Sequence, residues 1–366
     1  MFAACQALGL KAGDEILTPA FDCDGALQPF RVLGLRLHFF RIHPYTFEVD
    51  LDDLRSKWTS QIRMIHLINY FGFSQPWDEI LKLKQDTPIL EDNAYSLFSS
   101  YKGKPLGSFG DVAIFSLRKN LPLPDGGALK INNKAYPIKL LPGRSKWIYR
   151  TEWMGLLGFM KQRIEICLGI RPGILKTPSF LKRWKPDCFP PPPLYSEKGV
   201  PPWPSRDSIG FDFALDYLRP MSRFSKKQFQ KFTEADSLFY DAISQRRRES
   251  YQWLSNRLSA IPFITLIHPT LPEGVSPHCI SFLINSHRDI YFENLRKKYD
   301  VMAWPTLPQE VIDQLERFPD VELLGRKIFQ INFSRLPRFI RSDVDFSAYL
   351  EEMNNMCDEI ESLEID

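Results

Sequence analysis

Alternation between short apolar runs and longer amphipathic stretches is the feature that most limits what this sequence can fold into. Between Glu15 and Asn132, six runs rich in Ile, Leu, Val and Phe have the length of buried strands: EILTPAF, LRLHFFRI, RMIHLINYFGF, PILEDNA, DVAIFSL and GGALKIN. The stretches between them include DLDDLRSKW and PWDEILKLKQ, whose helix-like spacing and length suit crossover connections. The pattern predicts an α/β fold in which a mostly parallel sheet is sandwiched by helices.

The length of the chain predicts more than one domain. With 366 residues it exceeds what a single core usually supports, so we expect a large α/β domain over residues 1–207 and a smaller one after it. Residues 176–207 are rich in proline, which disrupts helices and central strands, and are expected to form a loop. Residues 146–170 have the pattern of an internal or subunit-facing helix, with a helix on a membrane surface as the alternative.

The second half of the chain has a different pattern. Residues 208–258 show apolar positions at helical spacing, interrupted by Pro220, and are predicted to form a pair of connecting helices. In residues 259–366, strand-like and helix-like segments alternate, which predicts a small carboxy-terminal α+β domain.

Composition excludes several classes of protein. The 47 basic and 44 acidic side chains leave a net charge of +3, too balanced for nucleic-acid binding as the main activity. The six cysteines lie far apart without a C-x-x-C spacing, so neither a metal site nor a disulfide framework is expected. No apolar run is long enough to span a membrane, and the first residues do not have the pattern of a secretory signal. We therefore expect a cytoplasmic protein.

Two residues of opposite charge follow predicted strands. Asp92 lies near the end of PILEDNA, and Lys119 is the second residue after DVAIFSL. Ligands bind at the carboxyl ends of strands in open α/β sheets, so both residues are expected to face one crevice. Pyridoxal phosphate requires an amine for a Schiff base and an acid beside its ring nitrogen. From these residues alone, an exposed ion pair between two loops is the alternative.

Four stretches resemble the DegT-type nucleotide-sugar aminotransferase family, whose members are fold-type-I pyridoxal-phosphate enzymes. The resemblance covers nearly the whole chain, and the third stretch is the most specific. The stretches are LGLKAGDEILTPAF, NYFGFSQPWDEI, ILEDNAYSLFSSYKGKPLGSFGDVAIFSLRKNLPLPDGGAL and, more faintly, YLRPMS. The resemblance implies the fold-type-I architecture and pyridoxal 5'-phosphate as cofactor.

The resemblance also implies roles for five residues. Lys119 corresponds to the lysine that bonds covalently to the cofactor, and Asp92 to the acid at the ring nitrogen. Tyr95 stands where the family usually has Gln or His near the phenolic oxygen of the cofactor. Ser116 resembles the phosphate-binding serine, although it lies two positions nearer to the lysine than in the family. Cys23 stands where many relatives place an aromatic ring against the cofactor, with ordinary packing in the interior as the alternative.

Other residues have less specific interpretations. The pair Gly126-Gly127 resembles the glycines that follow the family's lysine loop, with an ordinary turn as the alternative. His66 is expected to be an interior histidine rather than a base. The run Arg246-Arg247-Arg248 is interpreted as a solvated helix face, with contact to a substrate diphosphate as the alternative.

The chain also departs from the family pattern in two places. Relatives carry a hydroxyl-rich phosphate-binding turn before the helix that corresponds to FAACQALGL, whereas this sequence begins at Met1 within that helix, so part of the phosphate cradle is expected to be missing. Tyr217 and Leu218 precede Arg219 where the family tends to have an asparagine that reaches the neighbouring subunit's cofactor. That contact is expected to differ here.

The resemblance implies a function. It predicts a homodimeric transaminase that moves an amino group from a donor such as glutamate to a nucleotide-linked keto-sugar, for surface-polysaccharide or secondary-metabolite synthesis. A catalytically silent binding or regulatory protein on the same fold is the alternative suggested by the departures. A sugar dehydratase is a further alternative, but such relatives have histidine in place of the lysine, so Lys119 disfavours it.

Overall fold

A computed structural model describes residues 1–84, 86–136, 160, 220–234, 237–285, 288–333 and 343–362 of the chain. The proline-rich segment 176–207 lies outside these residues, as does all of 146–170 except Met160. Residues 217–219 lie outside them too.

The first part of the chain builds a six-stranded sheet with the order β2-β1-β3-β4-β7-β8. Every neighbouring pair is parallel except the last, β7 with β8. All six predicted runs form strands of this sheet, which confirms the prediction of a mostly parallel α/β fold. The strands are β1 Glu15–Pro19, β2 Arg36–Phe40, β3 Ile62–Ile68, β4 Ile89–Asn93, β5 Ser100–Tyr101, β6 Lys104–Pro105, β7 Val112–Phe115 and β8 Ala128–Ile131, with β5 and β6 forming a separate hairpin.

Short helices connect these strands. Helix α3 begins where the Asp50 carboxylate accepts a hydrogen bond from the Asp53 amide at 3.0 Å, a side-chain cap that satisfies one free backbone donor. Trp77 and Ile80 of α4 are fully buried. The helices are α1 Phe2–Ala7, α2 Asp24–Val32, α3 Leu51–Lys57, α4 Trp77–Leu83 and α5 Leu117–Asn120, with a 3-10 turn at Tyr70–Gly72.

The second half of the chain contains a four-stranded antiparallel sheet with the order β11-β12-β10-β9. Strands and helices alternate here as predicted, and Pro220 lies shortly before α6. The domain boundaries at 207 and 258 stay predictions. The elements are α6 Arg223–Glu234, α7 Ser237–Leu258, β9 Ile264–Leu266, β10 Cys279–Ile284, α8 Arg288–Leu295, β11 Val301–Met302, α9 Gln309–Ile312, a 3-10 turn at Leu315–Arg317, α10 Pro319–Lys327, β12 Ile328–Asn332 and α11 Asp343–Ser362.

The segment Gly274–His278 joins the two sheets. The Ser276 amide donates to the Ser99 hydroxyl at 3.0 Å, and the His278 amide donates to the Phe71 carbonyl at 2.7 Å. A Cβ on Gly72 would lie 2.4 Å from the Ser276 carbonyl oxygen, so this close approach requires glycine. The largest apolar cluster also spans both sheets, because Ile267 and Leu283 pack into the core built by the parallel strands.

A buried carboxylate organises the loop between β6 and β7. Glu91 on β4 is fully buried, and its Oε2 accepts hydrogen bonds from the amides of Phe109 at 2.9 Å and Gly110 at 3.0 Å. Its Oε1 accepts from the Gly107 amide and from the Asn69 side chain. Within the described ranges no lysine or arginine forms an ion pair with it, so backbone amides balance this charge.

Replacing this carboxylate tests how much the loop depends on it. We expect Glu91→Gln to lower the free energy of unfolding by about 3 kcal/mol, because the amide nitrogen cannot accept from backbone N–H groups. The shift is measured by urea unfolding followed by circular dichroism. The control Glu322→Gln removes half of an exposed pair with Arg326 and is expected to change stability by less than about 0.5 kcal/mol. Equal losses in the two variants would contradict this role for Glu91.

Candidate active site

Asp92 lies at the carboxyl end of β4, between β3 and β7. It is 6% exposed, and its Oδ1 accepts a hydrogen bond from the Ala94 amide at 2.8 Å. Its Oδ2 lies 3.4 Å from Nε2 of His66 on β3. Burial acts to raise the pKa of Asp92, but the bonds to His66 and Ala94 and the charge of Lys119 outweigh it, so the pKa lies below the ordinary value. The carboxylate is therefore anionic at neutral pH.

His66 links Asp92 to the next strands of the sheet. Its ring is fully buried, as expected from the sequence, and Nδ1 lies 2.9 Å from the Thr18 hydroxyl on β1. Because an anionic carboxylate accepts, Nε2 carries the proton and Nδ1 accepts from Thr18. A row of hydrogen bonds thus runs from Thr18 through His66 to Asp92, and it fixes the direction of the carboxylate.

A second carboxyl group, Asp22, stands beside this row. Its Oδ1 accepts from the Cys23 amide at 2.6 Å, and its Oδ2 lies 3.9 Å from Nδ1 of His66. Oδ2 is buried and has no hydrogen-bond partner in the described part of the chain. Burial raises the pKa of Asp22 to about 7, with Asp92 adding to the rise and His66 opposing it.

Lys119 approaches the same edge from α5, directly after β7. Its Nζ lies 3.9 Å from the centre of the Tyr95 ring. Burial acts to lower the pKa of Lys119, but Tyr95 and the charge of Asp92 outweigh it, so the pKa lies above its ordinary value. Lys119 and Asp92 interact electrostatically without forming an ion pair among the described residues. The structure thus brings the two groups predicted from the sequence to one buried edge, close but not in contact.

The loop after Lys119 is held by the start of α6. The Asp125 carboxylate accepts from the amide and the hydroxyl of Ser222, at 2.8 and 2.7 Å, and from the Ser225 hydroxyl. Gly126 has φ +127°, and a Cβ there would lie 2.7 Å from the Met221 side chain. The first glycine of the pair is therefore required by backbone conformation and by close packing. Met221 and Ser222, the last two residues of the YLRPMS stretch, thus contact the loop that contains the glycine pair.

Ser116 and Cys23 lie near Lys119. Ser116 precedes α5, and its carbonyl accepts from Nδ2 of Asn120 at 2.9 Å, while its hydroxyl makes no hydrogen bond within the described residues. Cys23 is half-buried just before α2, where burial and the neighbouring Asp22 raise the pKa of its thiol. That Ser116 binds a phosphate and that Cys23 packs against a cofactor both stay predictions, as do the roles of Tyr95, Asp92 and Lys119.

The second sheet contributes residues that sequence reasoning missed. His278 comes just before β10, and its ring centre lies 4.8 Å from that of Tyr95. Burial and the charges of Arg247 and Lys119 hold its pKa well below the ordinary value, so this imidazole is neutral. The interpretation of residues 246–248 as a solvated face is wrong for Arg247, which is 1% exposed on the inner side of α7. Asp22, the residue before Cys23, was also missed.

Known proteins share both the sequence and the fold of this chain. A model of the DegT/DnrJ/EryC1/StrS aminotransferase family matches residues 1–141. This segment is therefore similar to that family. The GDP-perosamine synthase of Escherichia coli O157:H7 is 26% identical over 173 residues, which are 46% of this chain and 48% of that protein. The match thus spans about half of this DegT-family relative.

Solved structures extend the likeness in fold to nearly the whole chain. The crystal structure of 3-amino-5-hydroxybenzoic acid (AHBA) synthase superposes with a TM-score of 0.62 at 15% identity, covering 98% of this chain and 84% of that one. A GDP-4-keto-6-deoxymannose-3-dehydratase with a trapped PLP-glutamate geminal diamine gives 0.56 at 18% identity, covering 93% and 84%. The expected fold is confirmed, and the expected cofactor agrees with the DegT family and with this second structure.

Metal and membrane features are reported for the described residues alone. They contain no group of three or more His, Cys, Asp or Glu residues placed to hold a metal ion. Among the helices assigned to them, none has both the length and the apolar character needed to cross a membrane.

The raised pKa of Asp22 predicts how stability depends on pH. With a folded-state pKa of about 7 and an unfolded value of about 3.9, the folded chain binds the proton more tightly. The stabilisation is complete below about pH 4 and is lost as the pH rises towards 7. Asp22→Asn should therefore unfold at a higher temperature than the parent at pH 8. Its unfolding temperature should also change much less between pH 5 and 8 than that of the parent.

Thermal unfolding at the two pH values measures this effect. Asp52→Asn is the matched control, because its side chain is 95% exposed, and it should keep the pH dependence of the parent. A parent-like pH dependence in Asp22→Asn would contradict the buried, protonated state of Asp22.

Proposed function

We propose that this chain binds pyridoxal phosphate and transfers an amino group from a glutamate-like donor to a nucleotide-linked keto-sugar. The observation that carries the proposal is the pairing of the buried Asp92 anion with the Lys119 amine at one sheet edge, within the segment that is similar to the DegT family. The proposal includes a cytoplasmic homodimer that serves surface-polysaccharide or secondary-metabolite sugar synthesis.

The residues present fit the cofactor. A pyridinium nitrogen requires an anionic partner, and Asp92 is held anionic by His66, Ala94 and Lys119. A cofactor aldehyde requires an amine nearby, and Lys119 supplies one without being tied to Asp92 in an ion pair. Asp22 Oδ2 and His278 Nδ1 are buried and have no hydrogen-bond partner within the described residues. Both residues interact electrostatically with Lys119, so this edge has polar atoms available to a ligand.

Each residue has a distinct task in the proposed reaction. When bound, pyridoxal phosphate supplies an aldehyde that condenses with amines and a protonated ring that withdraws electrons from the substrate carbon. Asp92 holds the proton at the ring nitrogen, and His66 keeps Asp92 anionic and correctly directed. Lys119 would hold the cofactor through its amine and would move the proton as general base and acid. Tyr95 lies against the Lys119 amine and limits its position.

The choice of a nucleotide-linked sugar as acceptor is supported by relatives. One relative, 26% identical over 173 residues, is a GDP-perosamine synthase. The donor is inferred from the glutamate present in the dehydratase structure.

A sugar dehydratase is the second candidate. It is favoured by the fold likeness to the GDP-4-keto-6-deoxymannose-3-dehydratase. Lys119 disfavours a dehydratase. Its side chain is the group available to carry protons at this edge, and as an amine it could also re-form the covalent bond to the cofactor. Release of the sugar 3-hydroxyl without amination of the product would favour the dehydratase.

Lys119 provides the direct test of the proposal. Pyridoxal phosphate added to the purified chain should give a visible absorbance band that borohydride fixes on Lys119, as read by peptide mass spectrometry. Lys119→Ala should lose the label and lower amine transfer from glutamate to a GDP-linked keto-sugar by about 1,000-fold or more. Lys104→Ala, at an exposed position, should keep both properties. Labelling without any turnover in the parent would instead support the silent binding protein.

Asp92→Asn separates binding from chemistry. The amide cannot hold the ring proton, so we expect kcat to fall about 100-fold or more while the cofactor still labels Lys119. Single-turnover kinetics with glutamate measures the chemical step directly. Asp52→Asn is the matched control with unchanged kcat. A normal rate in Asp92→Asn would remove Asp92 from the mechanism.

A further inference from the structure

Helix α7 places an arginine in the middle of its apolar face. The buried positions of this helix recur at spacings of three and four, as expected for the side that faces a core. They include Ile243, Arg247, Tyr251, Leu254 and Leu258. Arg247 is 1% exposed, so its charge lies where the helix pattern otherwise places apolar side chains.

The guanidinium group of Arg247 is unpaired. Its Nε, Nη1 and Nη2 atoms have no hydrogen-bond partner in the described part of the chain, and no carboxylate there forms an ion pair with it. The centre of the Phe98 ring lies 5.3 Å from Cζ of Arg247. Cys279 is no counterion, because burial raises the pKa of that thiol to about 12. A buried, unpaired charge is costly, so its retention requires a reason.

The neighbouring arginines of the helix are satisfied. Arg248 donates to the carbonyls of Val275 at 2.6 Å and Pro272 at 2.9 Å. Arg246 donates to Glu249 at 2.9 Å. The lack of partners is therefore specific to the arginine that points inward.

Arg247 and Lys119 both influence His278 electrostatically. The charges of both act on His278, whose Nδ1 is likewise buried and unpartnered. The His278 ring contacts Tyr95, and Tyr95 contacts the Lys119 amine. Lys119, Tyr95 and His278 are thus in sequence of contact, and the charge of Arg247 acts on the last of them.

We propose that Arg247 binds a carboxylate group of the amino-acid donor, an assignment that rests on the proposed aminotransferase function. A guanidinium fork matches a carboxylate through two parallel hydrogen bonds, and the ligand supplies the missing counterion.

A carboxylate fits this site better than a phosphate. Arg247 carries a single positive charge, and a phosphate dianion or a diphosphate would bring excess negative charge into a region closed to solvent. The nearby His278 is neutral and adds no charge. One buried cation therefore balances one carboxylate.

Calorimetric binding of glutarate to the full chain, with and without added pyridoxal phosphate, tests this assignment. Glutarate has two carboxylates and no amine, so its binding does not require catalysis. Arg247→Met should weaken glutarate binding at least about tenfold, and Arg247→Lys should also weaken it, because lysine lacks the planar fork. Arg326→Met, which removes an exposed guanidinium paired with Glu322, should bind as the parent does.

Thermal unfolding without ligand distinguishes a binding arginine from a structural one. A residue kept for ligand binding destabilises the empty chain, so Arg247→Met should unfold at the same or a higher temperature than the parent. A marked loss of stability together with unchanged glutarate affinity would overturn the proposal. If Arg247→Met fails to fold, unchanged glutarate affinity in Arg247→Lys overturns it instead. If GDP or inorganic phosphate competes with glutarate in the parent and this competition is lost in Arg247→Met, the site binds phosphate and the proposal is overturned.

Kinetics separates this proposal from the proposed function. In an active enzyme, Arg247→Lys should raise the KM for glutamate about tenfold or more and leave the KM for the keto-sugar unchanged. Amine transfer with an unchanged KM for glutamate would overturn the carboxylate site while the aminotransferase stands. Arg247-dependent glutarate binding in a chain that transfers no amine would support the site and contradict the aminotransferase.

Discussion

The geometry of the candidate site depends on the hydrogen bonds that the Glu91 carboxylate accepts. A charge in the interior is tolerated when hydrogen-bond donors surround it, and here backbone amides of Gly107, Phe109 and Gly110 take that role. These amides lie just before β7, so the bonds fix where that strand begins. Asp92 is the next residue after Glu91 on β4, and Lys119 follows the end of β7. The Glu91 carboxylate thus sets the relation between Asp92 and Lys119.

The two carboxyl groups at the sheet edge differ in their hydrogen-bond partners and therefore in their protonation. Two carboxyl groups, Asp22 and Asp92, are both buried beside His66, yet the hydrogen bond from Nε2 stabilises the anion of Asp92 alone. Asp22 lacks such a donor at Oδ2, and burial raises its pKa. The site therefore contains one permanent anion for a cationic ring and one group that changes its protonation near neutral pH.

Much of this arrangement could be predicted from the sequence, because it depends on local patterns. Apolar runs located the parallel strands, and the positions of Asp92 and Lys119 after two such runs placed both at one edge. Arg247 could not be placed in this way, since an arginine triplet on a helix usually faces solvent. Its position four residues from Ile243 and four from Tyr251 was the available signal. His278 lies more than 150 residues from Lys119 in sequence, and no local pattern connects them.

The short segment Gly274–His278 carries a wider consequence. It is tied to the first sheet through Ser99, Ser100 and Phe71, and it ends at the histidine that faces Tyr95. The groups proposed to hold the cofactor come from the parallel sheet, whereas this segment and α7 come from the other half of the chain. Substitutions in this segment or in α7 can therefore change the surroundings of Tyr95 while the strand that carries Asp92 stays unaltered.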